Sequence, residues 1–295
     1  MKQTSAGFTL IELMITLLLS SVLIAAIGEL FLNSHVAFRK QTAMAHLVED
    51  GRYILDVFAR EYRRTGFLIN EHVVRGPEPS TVIGGTATEI FRADLDTLGS
   101  SVNLAAGVFI AGIFNSDGLN DAFDINHVIF RYQLNGQQDL TDALSPCTRD
   151  LSLDQNVATD AIAITLYFYV QNNQLDTVTW APVLYCRAKL DNLTTGYTDT
   201  SNAMPLLSNV ERMHVTYGVD TDGDGAANQY LTADQVTNWL QIISTRFYIV
   251  MRSEETNIAS AASGYVIDGQ PYDVNNSAEQ RMYRVFTTTL TSRQQ

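Results

Sequence analysis

From Phe8 to Ile27 the chain is apolar apart from Thr9, Glu12, Thr16, Ser20 and Ser21. That is roughly the 20 residues a helix needs to cross a bilayer. Before it stands a short polar segment, Met1 to Gly7, bearing Lys2. Such an N-terminus is a secretory signal cut near Ala25-Ala26, an uncleaved anchor, or an anchor processed ahead of the apolar run. Glu12 discriminates among them. A charged carboxylate in hydrocarbon costs about 2.5–3.5 kcal/mol on insertion scales, so a chain that keeps one there has a partner for it.

The helical pattern continues past the membrane. Leu47, Gly51, Ile54, Leu55, Phe58 and Tyr62 fall on one stripe at helical spacing, and no proline interrupts Phe8 to Arg64. Thr65-Gly66 then supplies the glycine that follows a helix end, which predicts one helix of about 57 residues, roughly 85 Å long. Arg39, Lys40, Arg52, Arg60, Arg63 and Arg64 mark its polar face, read as solvated rather than as a patch for lipid or DNA. With 19 Lys and Arg against 32 Asp and Glu, the formal charge is −13, which disfavours nucleic acid as a direct partner.

Beyond Gly66 short alternating runs lie between Gly, Pro, Thr and Asn. Val128 to Leu134 and Ile162 to Val170 read as strands, as do Val178 to Arg187, Arg212 to Val219, Ile242 to Arg252 and Tyr283 to Leu290. Thr232-Ala233-Asp234-Gln235 reads as a capping box opening a short helix. A helix followed by strands predicts an α+β fold, the antiparallel sheet packed on the C-terminal half of the long helix.

The string Gly7-Phe8-Thr9-Leu10-Ile11-Glu12 resembles the type IV prepilin signal. The resemblance implies that a membrane prepilin peptidase cuts between Gly7 and Phe8 and methylates the new amine of Phe8. It also implies that Glu12 neutralises the N-terminal amine of a neighbouring subunit during fibre assembly. The segments Leu47 to Phe67, Tyr217 to Tyr230 and Tyr283 to Leu290 are similar to the PilW group of minor type IV pilins. The chain departs from that group at Phe67-Leu68-Ile69-Asn70, where members often carry a cysteine, so no disulfide is carried over from that position.

The implied organisation is a leader at 1–7, a long helix at 8–66 with its transmembrane part at about 8–28, and a periplasmic β-rich pilin domain at 67–295. The implied role is a minor pilin in the inner membrane, single-pass with its C-terminal domain in the periplasm, that enters the pilus at the cell surface. It would prime or cap the fibre with other minor pilins and the major pilin, and a pilus-tip protein is a further partner. A type II secretion pseudopilin, or a membrane-anchored periplasmic adhesin or enzyme, is the alternative.

Asp220, Asp222, Asp224 and Gly225 occupy positions one, three, five and six of a calcium loop, with Asn228 at position nine. Leu231 stands where the bidentate glutamate belongs, so the expectation is weak calcium binding or a solvated acidic turn. Asn115, Asp117, Asn120, Asp121 and Asp124 form a second acidic stretch of poorer spacing. The two cysteines, Cys147 in a Pro-containing loop and Cys186 in a strand pattern, suit a loop-to-sheet bridge, with two buried thiols as the alternative. Five scattered histidines and the lack of a nucleophile or phosphate-loop motif leave no catalytic residue to assign, so the chain is read as a non-enzyme.

Overall fold

The computed structural model describes residues 9–66, 81–82, 85–86, 108–115, 125–135, 145–152, 161–174, 180–192, 197–259, 264–272 and 279–292. Helix α1, Leu10–Arg64, is a single 55-residue helix. It ends at Thr65, and Gly66 follows with φ of 76°, a left-handed position that costs a residue without Cβ nothing. The Gly66 N–H donates to the Arg131 carbonyl, which fastens the helix exit to the sheet.

Fourteen strands are defined among the described residues. Strands β1 (Thr81–Val82) and β2 (Gly85–Thr86) form a small pair. A larger antiparallel sheet runs β3 (Ile110–Asn115), β4 (Ile125–Asn135), β5 (Ala161–Gln174), β6 (Trp180–Asn192), β7 (Thr198–Thr200), and β8 (Met204–Ser208) also pairs with β6. The second sheet uses β9 (Val210–Val219), β10 (Gln229–Leu231), β11 (Ile242–Arg252) and β14 (Tyr283–Thr291) in the order β10-β9-β11-β14. Strands β12 (Tyr265–Ile267) and β13 (Gln270–Tyr272) form a hairpin. Its Tyr265, Tyr272 and Ile267 pack with Tyr248, Val250, Tyr283 and Val285.

The two sheets meet on the second half of α1. Phe58, fully buried, lies 5.2 Å from the Phe168 ring of β5 and 5.0 Å from the Phe247 ring of β11. One turn later Tyr62 stands edge-on to Phe130 of β4 at 5.7 Å. Burying each such ring is worth about 1.5–3 kcal/mol, which makes this aromatic knot the joint of the domain. Gly51 sits where α1 approaches β14: a Cβ there would lie 2.4 Å from the Phe286 ring.

The α+β architecture and all six predicted strands are present, with shifted ends. One reading needs correction. No helix follows Thr232; Asp234 accepts from the Thr232 hydroxyl at 2.5 Å, the Gln235 side chain accepts from the Thr232 N–H, and the chain turns instead. Only a 3-10 turn, Trp239–Gln241, comes before β11. Both faces of β4 are covered: Ile129 is 0% exposed, Arg131 2% and Gln133 2%. Alternation marks which residues share a face, but packing of further chain decides whether that face is wet.

Candidate functional site

The N-terminal end of α1 carries the chemistry that the sequence singled out. Thr9 is its N-cap, and the hydroxyl of Thr9 accepts from the Glu12 N–H at 3.3 Å. The Glu12 carboxylate in turn accepts from the Thr9 N–H at 3.3 Å, closing a capping box. This satisfies helix-end donors that would otherwise lack a partner within the helix, and it holds the acid at the first turn, where the helix dipole favours negative charge. Gly7 and Phe8 lie outside the described residues.

Residues 10 to 38 of α1 are exposed along their whole length, including Leu18, Leu23, Phe31 and Phe38. At 1.5 Å per residue that is about 43 Å of bare helix, more than the roughly 30 Å of a hydrocarbon core. Within α1 an 18-residue window reaches mean hydropathy 2.5 with none of it buried. Apolar surface of this extent is consistent with a membrane, or with packing among like helices. Contact with the domain begins at Arg39, whose guanidinium pairs with Glu255 at 2.6 Å.

At the other end of the helix, Glu61 falls on the apolar stripe and is 1% exposed. Burial pushes its carboxyl up; Arg64, 3.6 Å away, and a hydrogen bond with Ser145 oppose the shift. Ser145 also accepts from the Cys147 N–H and so caps the 3-10 turn Pro146–Thr148. That turn carries Cys147 into a disulfide with Cys186 of β6, Cα atoms 5.5 Å apart. Glu61, Ser145 and the disulfide therefore form one chain of contacts from helix to sheet. The sequence analysis missed the role of Glu61; its place three residues after Phe58 and seven after Ile54 was the available signal.

A second buried ionic group joins Glu211 of β9 and Arg252 of β11 at 3.4 Å. Arg281 donates to the carbonyls of Ser253 and Glu254 beside it. Desolvation raises the Glu211 carboxyl and lowers the Arg252 guanidinium, each being opposed by the other's charge. The group ties the start of β9 to the end of β11 beside the start of β14.

The acidic loop brings Asp220, Asp222 and Asp224 together, one carboxylate oxygen of each within 4.8 Å of the others. Asp220 accepts from Gly225 at 2.9 Å and from Gly223 at 2.7 Å, and these backbone donors hold its carboxyl below the usual range. Asn228 does not offer its oxygen to the cluster: Oδ1 accepts from the Thr221 N–H and hydroxyl, while Nδ2 donates to Asp222 at 3.2 Å. The residues that could hold a cation are thus the three aspartates, with Asn228 bracing the loop. The stretch from Asp117 to Asp124 lies outside the described residues.

An apolar helix capped around an acid and carried on an α+β head is a type IV pilin-like arrangement. Residues 2–28 match the family model described as the prokaryotic N-terminal methylation motif. Residues 167–293, from β5 through β14, match the one described as Type IV Pilus-assembly protein W. Neither a curated protein nor a solved structure matches the chain. Both matched families describe structural pilus components, and the role is related to type IV pili.

Proposed function

We propose that the protein is a minor pilin that primes or caps type IV pilus assembly together with other minor pilins. The observation that carries this reading is the joining of an acid-bearing, unburied apolar helix to a domain that matches the pilus-assembly family over β5 to β14. The same match favours the pilus over a type II secretion pseudopilin. In this reading the prepilin peptidase cuts after Gly7 and methylates Phe8. The helix stays in the inner membrane with the domain in the periplasm until assembly, and Glu12 then exchanges its cap for the amine of a neighbouring subunit. A buried acid and amine stabilise each other strongly and each is costly alone, which sets register between helices. The partners are the prepilin peptidase, other minor pilins, the major pilin and a pilus-tip protein. The aspartate loop would act as a weak calcium-binding brace, supported by the convergence of its three carboxylates.

Mass spectrometry of the N-terminal peptide tests the reading, with a methylated Phe8 terminus expected. An intact Met1, or a start after Ala26, refutes it. Glu12→Ala is expected to leave membrane insertion unchanged while reducing incorporation into fibres and surface piliation; wild-type piliation would remove Glu12 from the mechanism.

A further inference from the structure

The edge of the second sheet carries an inference about how a partner is recognised, resting on the assembly reading above. Strand β14 pairs with β11 over nine consecutive positions without a bulge, and among the described residues no strand pairs with its other side. Edge strands are ordinarily protected by proline, lysine, bulges or shortness. The segment Tyr-Arg-Val-Phe-Thr-Thr-Thr-Leu-Thr has neither proline nor lysine, is rich in β-branched residues, and carries a single charge, Arg284. Helix α1 does not cover this edge. Arg284 reaches Met44 and Phe286 faces Gly51, so α1 lies on the side-chain face, at right angles to the row of edge N–H and C=O groups.

Direction and charge narrow the occupant. Met44 meets Arg284, Gly51 meets Phe286, and Tyr62 meets Thr245, which is paired with Leu290. Strand β14 therefore runs in the same sense as α1, away from the membrane. Two copies anchored in one membrane would present this strand in the same sense, so they cannot join it antiparallel across a two-fold axis. Beside the edge, Met44, Ala45, Val48, Glu49 and Arg52 line a shallow groove on α1. Arg52 and Arg284 have no carboxylate partner among the described residues. With Glu49 they leave this region net positive on a chain of formal charge −13.

We propose that the free edge of β14, with the adjoining α1 groove, takes an extended acidic segment from a different pilin-like chain anchored in the same membrane. Main-chain hydrogen bonds to the edge supply affinity, and a carboxylate facing Arg284 and Arg52 supplies selectivity.

The test uses the full-length chain in cells that produce the pilus proteins. The photoreactive probe benzoylphenylalanine replaces Thr287 on the edge strand or, as a control on the other sheet, the exposed Gln171 of β5. A Thr287 adduct to an acidic peptide of another prepilin-type protein, absent from Gln171, is the expected result. Arg284→Glu and, independently of the strand, Arg52→Glu should each lower its yield about tenfold, the scale of a lost interfacial charge pair, while Arg284→Lys retains it. Protease resistance of the domain reports that each variant is folded. An adduct within the chain itself, an adduct to a second copy, no adduct, or a yield indifferent to both glutamates overturns the proposal. The Phe8 terminus is measured in the same cells: processing without the adduct refutes the edge alone, and lack of processing refutes the assembly reading.

Discussion

Replacing Cys147 and Cys186 together by alanine should destabilise the domain by about 4 kcal/mol, most of it through the unfolded chain. The two cysteines are 39 residues apart. In the chain-entropy relation a loop of about 40 residues contributes about 13 cal/mol/K, or about 4 kcal/mol at 25 °C. Their Cα separation of 5.5 Å lies inside the ordinary range, so closing the bridge requires no displacement of the backbone. Both side chains are 0% exposed, and the alanines remove buried sulfur without adding a polar group. At about 2–4 °C per kcal/mol for a domain of this size, the melting temperature should fall by roughly 8–16 °C. Urea unfolding of residues 36–295, oxidised against the double alanine variant, measures it; the shortened chain lacks only exposed helix ahead of Arg39, where contact with the described residues of the domain begins. A shift below about 1 kcal/mol, or free thiols in protein exported to the periplasm, would show that the bridge does not constrain the chain as argued.

Phe58→Ala removes the ring between Phe168 and Phe247 and should cost about 3–5 kcal/mol by the same unfolding assay, while an unchanged midpoint would mean the knot is not the joint. Glu61 titrates above its ordinary 4.5 in the folded state because it is buried. The native form therefore holds its proton where the unfolded chain has lost it. The stability that proton gives is complete below 4.5 and lost as pH rises through the folded value. Glu61→Gln should weaken this decline and Glu211→Gln, raised for the same reason, should remove more of it; a double variant with the full wild-type slope would refute the assignment. Calcium at 100 times its dissociation constant should add about 2.7 kcal/mol to unfolding, and Asp222→Ala should abolish the gain. Equal melting temperatures with calcium and with chelator would leave the loop a hydrogen-bonded turn.

The amino-acid sequence by itself determined the elements whose signals are local. A long helix without proline, stopped at Gly66, is written in neighbouring residues, as are the alternating runs of β4, β5 and β11, while its cap at Thr9 and Glu12 came from the structure. The acid in the apolar helix was likewise legible, because its cost in hydrocarbon does not depend on the rest of the fold. Tertiary structure alone decided the short strands β3, β7 and β8, whose patterns are too brief to outweigh a loop reading. It turned Thr232 to Gln235 away from helix, since the capping hydrogen bonds form equally well in a turn. It also placed Glu61 under Arg64 and Ser145, paired Glu211 with Arg252 across β9 and β11, and swung the Asn228 oxygen away from the aspartates. These arrangements join residues far apart in the chain, and neither helical nor strand periodicity carries information about which distant surface a side chain will meet. The edge position of β14 belongs with them: its run of threonines marks a strand, but only sheet order makes it the last one among the described residues.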